Sequence, residues 1–195
     1  ILINLGININ TSPVLDLTKK NTHKVIGNRS YSTNPSIVNE LGRLCIKFYK
    51  KNNIATVIKH IPGHGGANTD SHFKLPKVKD SYKLLKKNDF KCFKNISSFF
   101  AMTAHILYTK IDKKNNASHS DTVINKIIRK EIGFKGILIS DDISMKALKY
   151  DILKNAKLAL NAGCNLVLYC AGKPSEMKKL LIGTPYIDNF TKKKT

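Results

Sequence analysis

Between Lys59 and His72 the chain reads KHIPGHGGANTDSH, a run that holds three histidines, one aspartate and four glycine or proline residues. Three chemistries could use it. A phosphate cradle needs GxxxxGK(S/T) or GxGxxG, and neither is present, because GHGGAN carries no glycine at its sixth position. A metal centre could draw on His60, His64, Asp70 and His72, ligand types that hold zinc and let it activate water, although no HExxH-like spacing groups them. A proton shuttle could be built from Asp70 and His72. A carboxylate two residues from an imidazole can accept its ring N–H, fix the tautomer and raise its basicity, so that the other nitrogen exchanges a proton near neutral pH. A plain loop whose histidines bond to backbone is the remaining reading.

A shuttle needs something to act on. In LISDDISM, Leu138 to Met145, Asp141 stands at the end of an apolar strand, where a carboxylate can stabilise a cationic centre or attack it. The competing role is N-cap of the following helix, for which Asp142 is better placed.

The elements that must position these residues alternate in kind. INTSPVLDL reads as a strand running into Asp16, Pro35 to Lys51 places Ile37, Val38, Leu41, Leu44, Cys45 and Phe48 at helical spacing, and Ile54 to Ile61 is β-rich. Ser81 to Phe99 carries a broken helical pattern, and FFAMTAHILY, Phe99 to Tyr108, reads as one strand covered on both faces. A helix from about Asp121 should end at Gly133. Then come the strand GILISD, a helix from about Lys146 to Asn161, the strand NLVLYC and a helix from about Ser175 to Leu181. Five strands, each followed by a helix, fit an open doubly wound sheet or part of a barrel. Polar residues just past the strand ends, at Asp16, Lys59, His60, His105, Asp141 and Asp142, favour the barrel. The expectation is an α/β chain, an incomplete (β/α)8 TIM barrel of about five C-terminal strand–helix units over residues 1–185, with 186–195 a basic tail that frays. An opening directly in strand-like sequence predicts three further strands upstream, an N-terminal barrel segment needed for closure.

The net charge is +21, yet only Arg29, Arg43 and Arg129 among the 34 basic residues are arginine, and the lysines are spread over every segment. Bidentate recognition of phosphates and bases favours clustered arginine, so no nucleic-acid partner is expected. Cys45, Cys92, Cys164 and Cys170 form no CxxC pair and lie in apolar stretches, which suits buried thiols in a reducing compartment. No run of 18 apolar residues or signal-like N-terminus appears, so no membrane partner is expected and a cytoplasmic location is the default.

Six ordered motifs then carry a resemblance over nearly the whole chain. KHIPGHGGANTDSHFKLP resembles the KHFPGHG…DSH…LP signature of glycoside hydrolase family 3, and within it of the bacterial NagZ-type β-N-acetylhexosaminidases. INTSPVLDL, IGNRSYSTNP, AMTAHILY, EIGFKGILISDDISM and ALNAGCNLVLYC resemble that family's other motifs in the same order. The resemblance implies a retaining exo-glycosidase that removes terminal β-linked N-acetylglucosamine from peptidoglycan turnover fragments. It implies Asp141 as nucleophile, His72 as acid/base, Asp70 orienting it, and Arg29, Lys59 and His60 holding the sugar, with no metal or other cofactor. His64 would shape the loop, His105 would line the pocket, and the glycines of PGHGG would act as a hinge. A family segment that adds an aspartate and an arginine to sugar binding is not in this sequence, so a non-catalytic remnant is the alternative; a metal-dependent barrel hydrolase is a third.

Overall fold

The computed structural model describes residues 1–19, 22, 24, 26–67 and 75–195. Strand β1 is short, Ile9–Asn10, and helix α1, Pro35–Lys51, follows. Asn34 caps α1 by accepting from the Ser36 N–H, and Pro35 at the first helical position suits the start of a helix. The buried stripe of α1 is Val38, Gly42 and Ile46. Gly42 is needed there because a Cβ would meet Leu15 at 2.4 Å.

After β2, Ala55–Ile61, come β3, Lys77–Val78, and two short helices, α2, Tyr82–Lys87, and α3, Asp89–Phe93. Then follow β4, Phe100–Thr103, and β5, Leu107–Tyr108, with a π-helix at Thr122–Ile132 that Gly133 closes at φ 81°. The last elements are β6, Ile137–Asp142, α4, Ile152–Ala162, β7, Leu166–Leu168, α5, Pro174–Gly183, and α6, Asn189–Lys194.

Five strands form one parallel sheet in the order β1-β2-β4-β6-β7, each followed by helix, which is the (β/α) repeat of an incomplete eight-stranded barrel. Alternation divides the strand residues between two faces. Ile58, Ala101 and Leu138 join Val38 of α1, Phe90 and Phe93 of α3 and Ile124 and Ile128 of the π-helix in the main core. The opposite, concave face carries Val57, Phe100, Met102 and Ile137, with Ala55, Ile139, Leu166 and Leu168 only partly covered. Arg129 is structural: it donates to the carbonyls of Phe134 (3.1 Å) and Gly136 (2.7 Å) and to Asn165 Oδ1 (2.8 Å), tying the π-helix to the starts of β6 and β7. Among the described residues, no helix is long and apolar enough to cross a membrane.

Several expectations change. FFAMTAHILY is not one strand: β4 stops at Thr103, and β5 pairs instead with β3 as a separate small sheet. Apolarity alone could not reveal the break, because Ala104 to Tyr108 are buried on either side of it. The helix expected from Lys146 begins at Ile152, capped by Asp151, whose carboxylate accepts from Leu153 and Lys154. The C-terminal residues form a helix where a tail was expected. Asp188 caps α6, and buried Thr191 accepts a hydrogen bond from Asn165 Nδ2 at 3.0 Å. Cys92 and Cys164 are buried as expected, but Cys170 is exposed, and all four thiols are free.

Candidate active site

Asp16 follows the buried pair Val14 and Leu15, is itself fully buried, and sits where Val14 bridges to Lys59 of β2. Its carboxylate gathers the end of β2. Oδ1 accepts from the backbone N–H of His60 (3.2 Å) and of His64 (2.7 Å), and Oδ2 pairs with His60 Nδ1 at 2.7 Å. Burial pushes the Asp16 carboxyl up, but the His60 and His64 contacts outweigh it and hold it below the usual carboxylate range. An ionised Asp16 requires a proton on His60 Nδ1, so a neutral His60 offers Nε2 as an acceptor. The Lys59–His60 and Ile61–Pro62 peptides are cis, at the point where the β2 register against β4 shifts.

Lys59 lies on the concave face, two residues beyond Val57, half-buried. Burial and then the neighbouring Arg29 charge draw its ammonium pKa down, and Asp141 and Asp16 only partly restore it. Arg29 ends a short turn, Gly27–Arg29, and is exposed, with its charge beside that of Lys59.

Asp141 is the second-last residue of β6, on the same face as Ile137 and Ile139. Burial raises its pKa, but His60, His105 and the Asp142 N–H, which donates to Asp141 Oδ1 at 2.8 Å, pull it below the ordinary value. The carboxylate is therefore ionised at neutral pH. A chain of buried groups holds this segment. His105 Nε2 faces the Asp142 carbonyl at 3.1 Å, which can only accept, so Nε2 carries the proton and Nδ1 accepts from Ser118 Oγ at 2.8 Å. Thr103 Oγ1 then donates to Ser118 Oγ (2.7 Å) and accepts a long contact, 3.4 Å, from the Asp141 N–H. Asp142 is no helix cap. Its carboxylate accepts from Ser144 N–H (3.0 Å), Ser144 Oγ (2.6 Å) and Cys170 N–H (3.1 Å), which turns the chain away from helix and ties the end of β6 to the end of β7.

Of the residues expected at the site, the structure brings together Lys59, His60, Arg29 and Asp141 around the carboxyl ends of β2 and β6. Asp70 and His72 lie outside the described residues. His64 is buried, and burial lowers its pKa to about 4. His105 is fully buried behind Asp142 rather than lining a pocket, and burial lowers its pKa as well.

The hinge expected in PGHGG is not there. A Cβ on Gly65 would lie 1.7 Å from the Leu17 carbonyl oxygen, and one on Gly63, at φ 137°, 2.7 Å from Asp89 Cβ. These glycines permit close packing of backbone, and Tyr108 donates its hydroxyl to the Gly63 carbonyl as a further restraint. Asp16, Ser118 and Thr103 were missed by sequence reasoning as site residues. Only Asp16 left a signal, as a lone acid after an apolar run.

A groove of about 620 Å³ opens at the amino ends of β2, β4 and β6, lined by residues such as Ala55, Ser98, Phe99 and Gly136. It lies at the opposite end from Asp141, so volume does not mark the site here.

Residues 2–184 match the model for the glycosyl hydrolase family 3 N terminal domain. The chain belongs to glycosyl hydrolase family 3. Beta-hexosaminidases of Methylobacillus flagellatus and Neisseria gonorrhoeae are 34% and 36% identical to it, over 90% and 94% of this chain. It spans about half the length of these relatives, 51% and 52%. Among solved structures, NagZ from Neisseria gonorrhoeae in complex with N-trifluoroacetyl-D-glucosamine superposes with a TM-score of 0.88 at 33% identity, over 99% of this chain and 56% of that one. A family 3 β-N-acetylglucosaminidase from a Paenibacillus species gives 0.87 at 31%, over 93% and 36%. The aspartate of SDD and the KH pair stand at the carboxyl ends of β6 and β2, the two strands that flank β4 in the sheet.

Proposed function

We propose that this chain forms the catalytic part of a retaining exo-β-N-acetylglucosaminidase acting on N-acetylglucosamine-containing glycans or muropeptides of peptidoglycan turnover. The observation that carries the reading is the ionised Asp141 at the end of β6, close to Lys59 and His60 at the end of β2, with Arg29 beside Lys59. Asp141 attacks the anomeric carbon and forms a glycosyl-enzyme, while His72, oriented by Asp70, protonates the leaving oxygen and then activates water. Arg29, Lys59 and the free nitrogen of His60 hold the sugar hydroxyls. The hexosaminidase activity of the relatives and the glucosamine derivative bound to NagZ support the N-acetylglucosamine preference. None of these steps uses a metal, and the setting in turnover of cell-wall fragments agrees with a cytoplasmic enzyme.

The test is hydrolysis of an aryl β-N-acetylglucosaminide by the chain alone and by the chain fused behind the amino-terminal strands of a relative. Activity that survives a chelator and disappears in Asp141→Asn is expected. Full activity in Asp141→Asn would overturn the assignment, and loss on chelation would favour a metal-dependent hydrolase.

A further inference from the structure

The two stems flanking residues 68–74 converge on one ammonium group. Lys19 Nζ lies 2.6 Å from Asp89 Oδ2 and 3.0 Å from Asp80 Oδ2. Asp89 opens α3, is 1% exposed, and among the described residues has no other cation within ion-pair distance. The stem before the loop rests on the same group: Gly63 packs on Asp89 Cβ, a Cβ on Gly66 would sit 3.2 Å from Lys19 Nζ, and Thr22 Oγ1 donates to the Gly65 carbonyl at 2.6 Å. The stem after the loop supplies Asp80 itself. It is carried by β3 through Leu107 N–H to Pro76 O (2.9 Å) and Thr109 N–H to Val78 O (3.0 Å). Val78 also lies against Gly66, so the stems touch.

We propose that Lys19 is a positioning residue for the acid/base loop, its ammonium setting the gap that residues 68–74 span. This rests on the assignment of Asp70 and His72 as the proton-transfer pair. Without the ammonium, buried Asp89 faces Asp80 with no counter-charge, and the tie that holds the Asp80 stem to α3, on which Gly63 packs, is lost. Proton transfer to the leaving oxygen requires a donor within hydrogen-bond reach, so a small displacement of His72 slows departure of groups that need protonation. Groups that leave unaided are spared.

The test compares Lys19→Met with the parent enzyme on phenyl and dinitrophenyl β-N-acetylglucosaminides, together with amide hydrogen exchange of the stems. The expected result is a loss on the order of 10–100-fold in kcat/KM for the phenyl glycoside and less than about threefold for the dinitrophenyl one. Exchange should accelerate in residues 60–67 and 75–80 and not in the π-helix. Lys19→Arg should restore most of both. Asp80→Asn removes only the outer arm and should show the same pattern more weakly; it decides the matter if Lys19→Met does not fold. Equal slowing on both substrates, or unchanged exchange in both stems, overturns the proposal. If His72→Ala itself slows both substrates equally, the acid/base assignment fails instead, and exchange alone judges the tie.

Discussion

Asp141 leaves the end of a strand whose backbone is held by the Thr103 hydroxyl and, one residue on at Asp142, by His105, whereas the stems on either side of residues 68–74 are tied through Asp16 and Lys19. The proposed nucleophile needs only to stay still, and β6 supplies that directly. On the other side the structure supplies close-packed stems, 60–67 and 75–80, around the positions of the proposed proton-transfer pair. The glycines that invite the word hinge belong to the stems.

The strongest way to break this comparison is at the nucleophile. Asp141→Asn should lower turnover of an aryl N-acetylglucosaminide by at least about a thousandfold while leaving the circular dichroism spectrum and the unfolding midpoint nearly unchanged. A large loss of stability instead would mean that Asp141 acts as scaffold. On the other flank, Asp16→Ala strands the His60 and His64 N–H groups and the His60 ring in a buried site. It should cost on the order of 3–5 kcal/mol in urea unfolding. Gly65→Ala should destabilise by about 1–3 kcal/mol because the Leu17 backbone cannot give way, while Gly172→Ala, at φ 68° with open space around it, should cost no more than about 1 kcal/mol. Equal effects would mean that Gly65 is a hinge after all.

Acid probes both flanks together. Burial lowers His64 and His119 to about 4, and His105 is lowered too, so between pH 6.5 and 4 the unfolded chain binds protons that the folded chain refuses. The histidine contribution should be full above about pH 6.5 and fall as pH drops, by up to about 1.4 kcal/mol per pH unit for each ring, ending near pH 4, below which the lowered carboxylates Asp16 and Asp141 continue the loss. Urea midpoints across that window measure the slope, and a flat profile would show that these rings are not held neutral.

Much of the barrel was legible because strand–helix alternation is a local signal. Pro35 to Lys51, the Gly133 stop and β6 emerge from spacing, capping and apolarity, which require no partner. What failed was decided by distant groups. The break in FFAMTAHILY depends on β3, some 30 residues earlier, and the turn after β6 is tied by Asp142 to Cys170, 28 residues on. At the site, Lys59, His60 and Asp141 were legible as polar residues at strand ends. Ser118 and Thr103 were not, since two hydroxyls become a relay only when β4 brings them beside His105.

The partly covered concave face, Ala55, Ile139, Leu166 and Leu168, lies on a sheet whose described edges are β1 and β7, in a chain of charge +21. Two such molecules have a reason to adhere and a reason to stay apart. The repulsion reaches about 8 Å at physiological ionic strength and about 3 Å at 1 M salt, whereas apolar attraction does not weaken with salt. The spread of lysines thus opposes contact between copies of this chain through that face, and dilute buffer rather than high salt is where single copies persist.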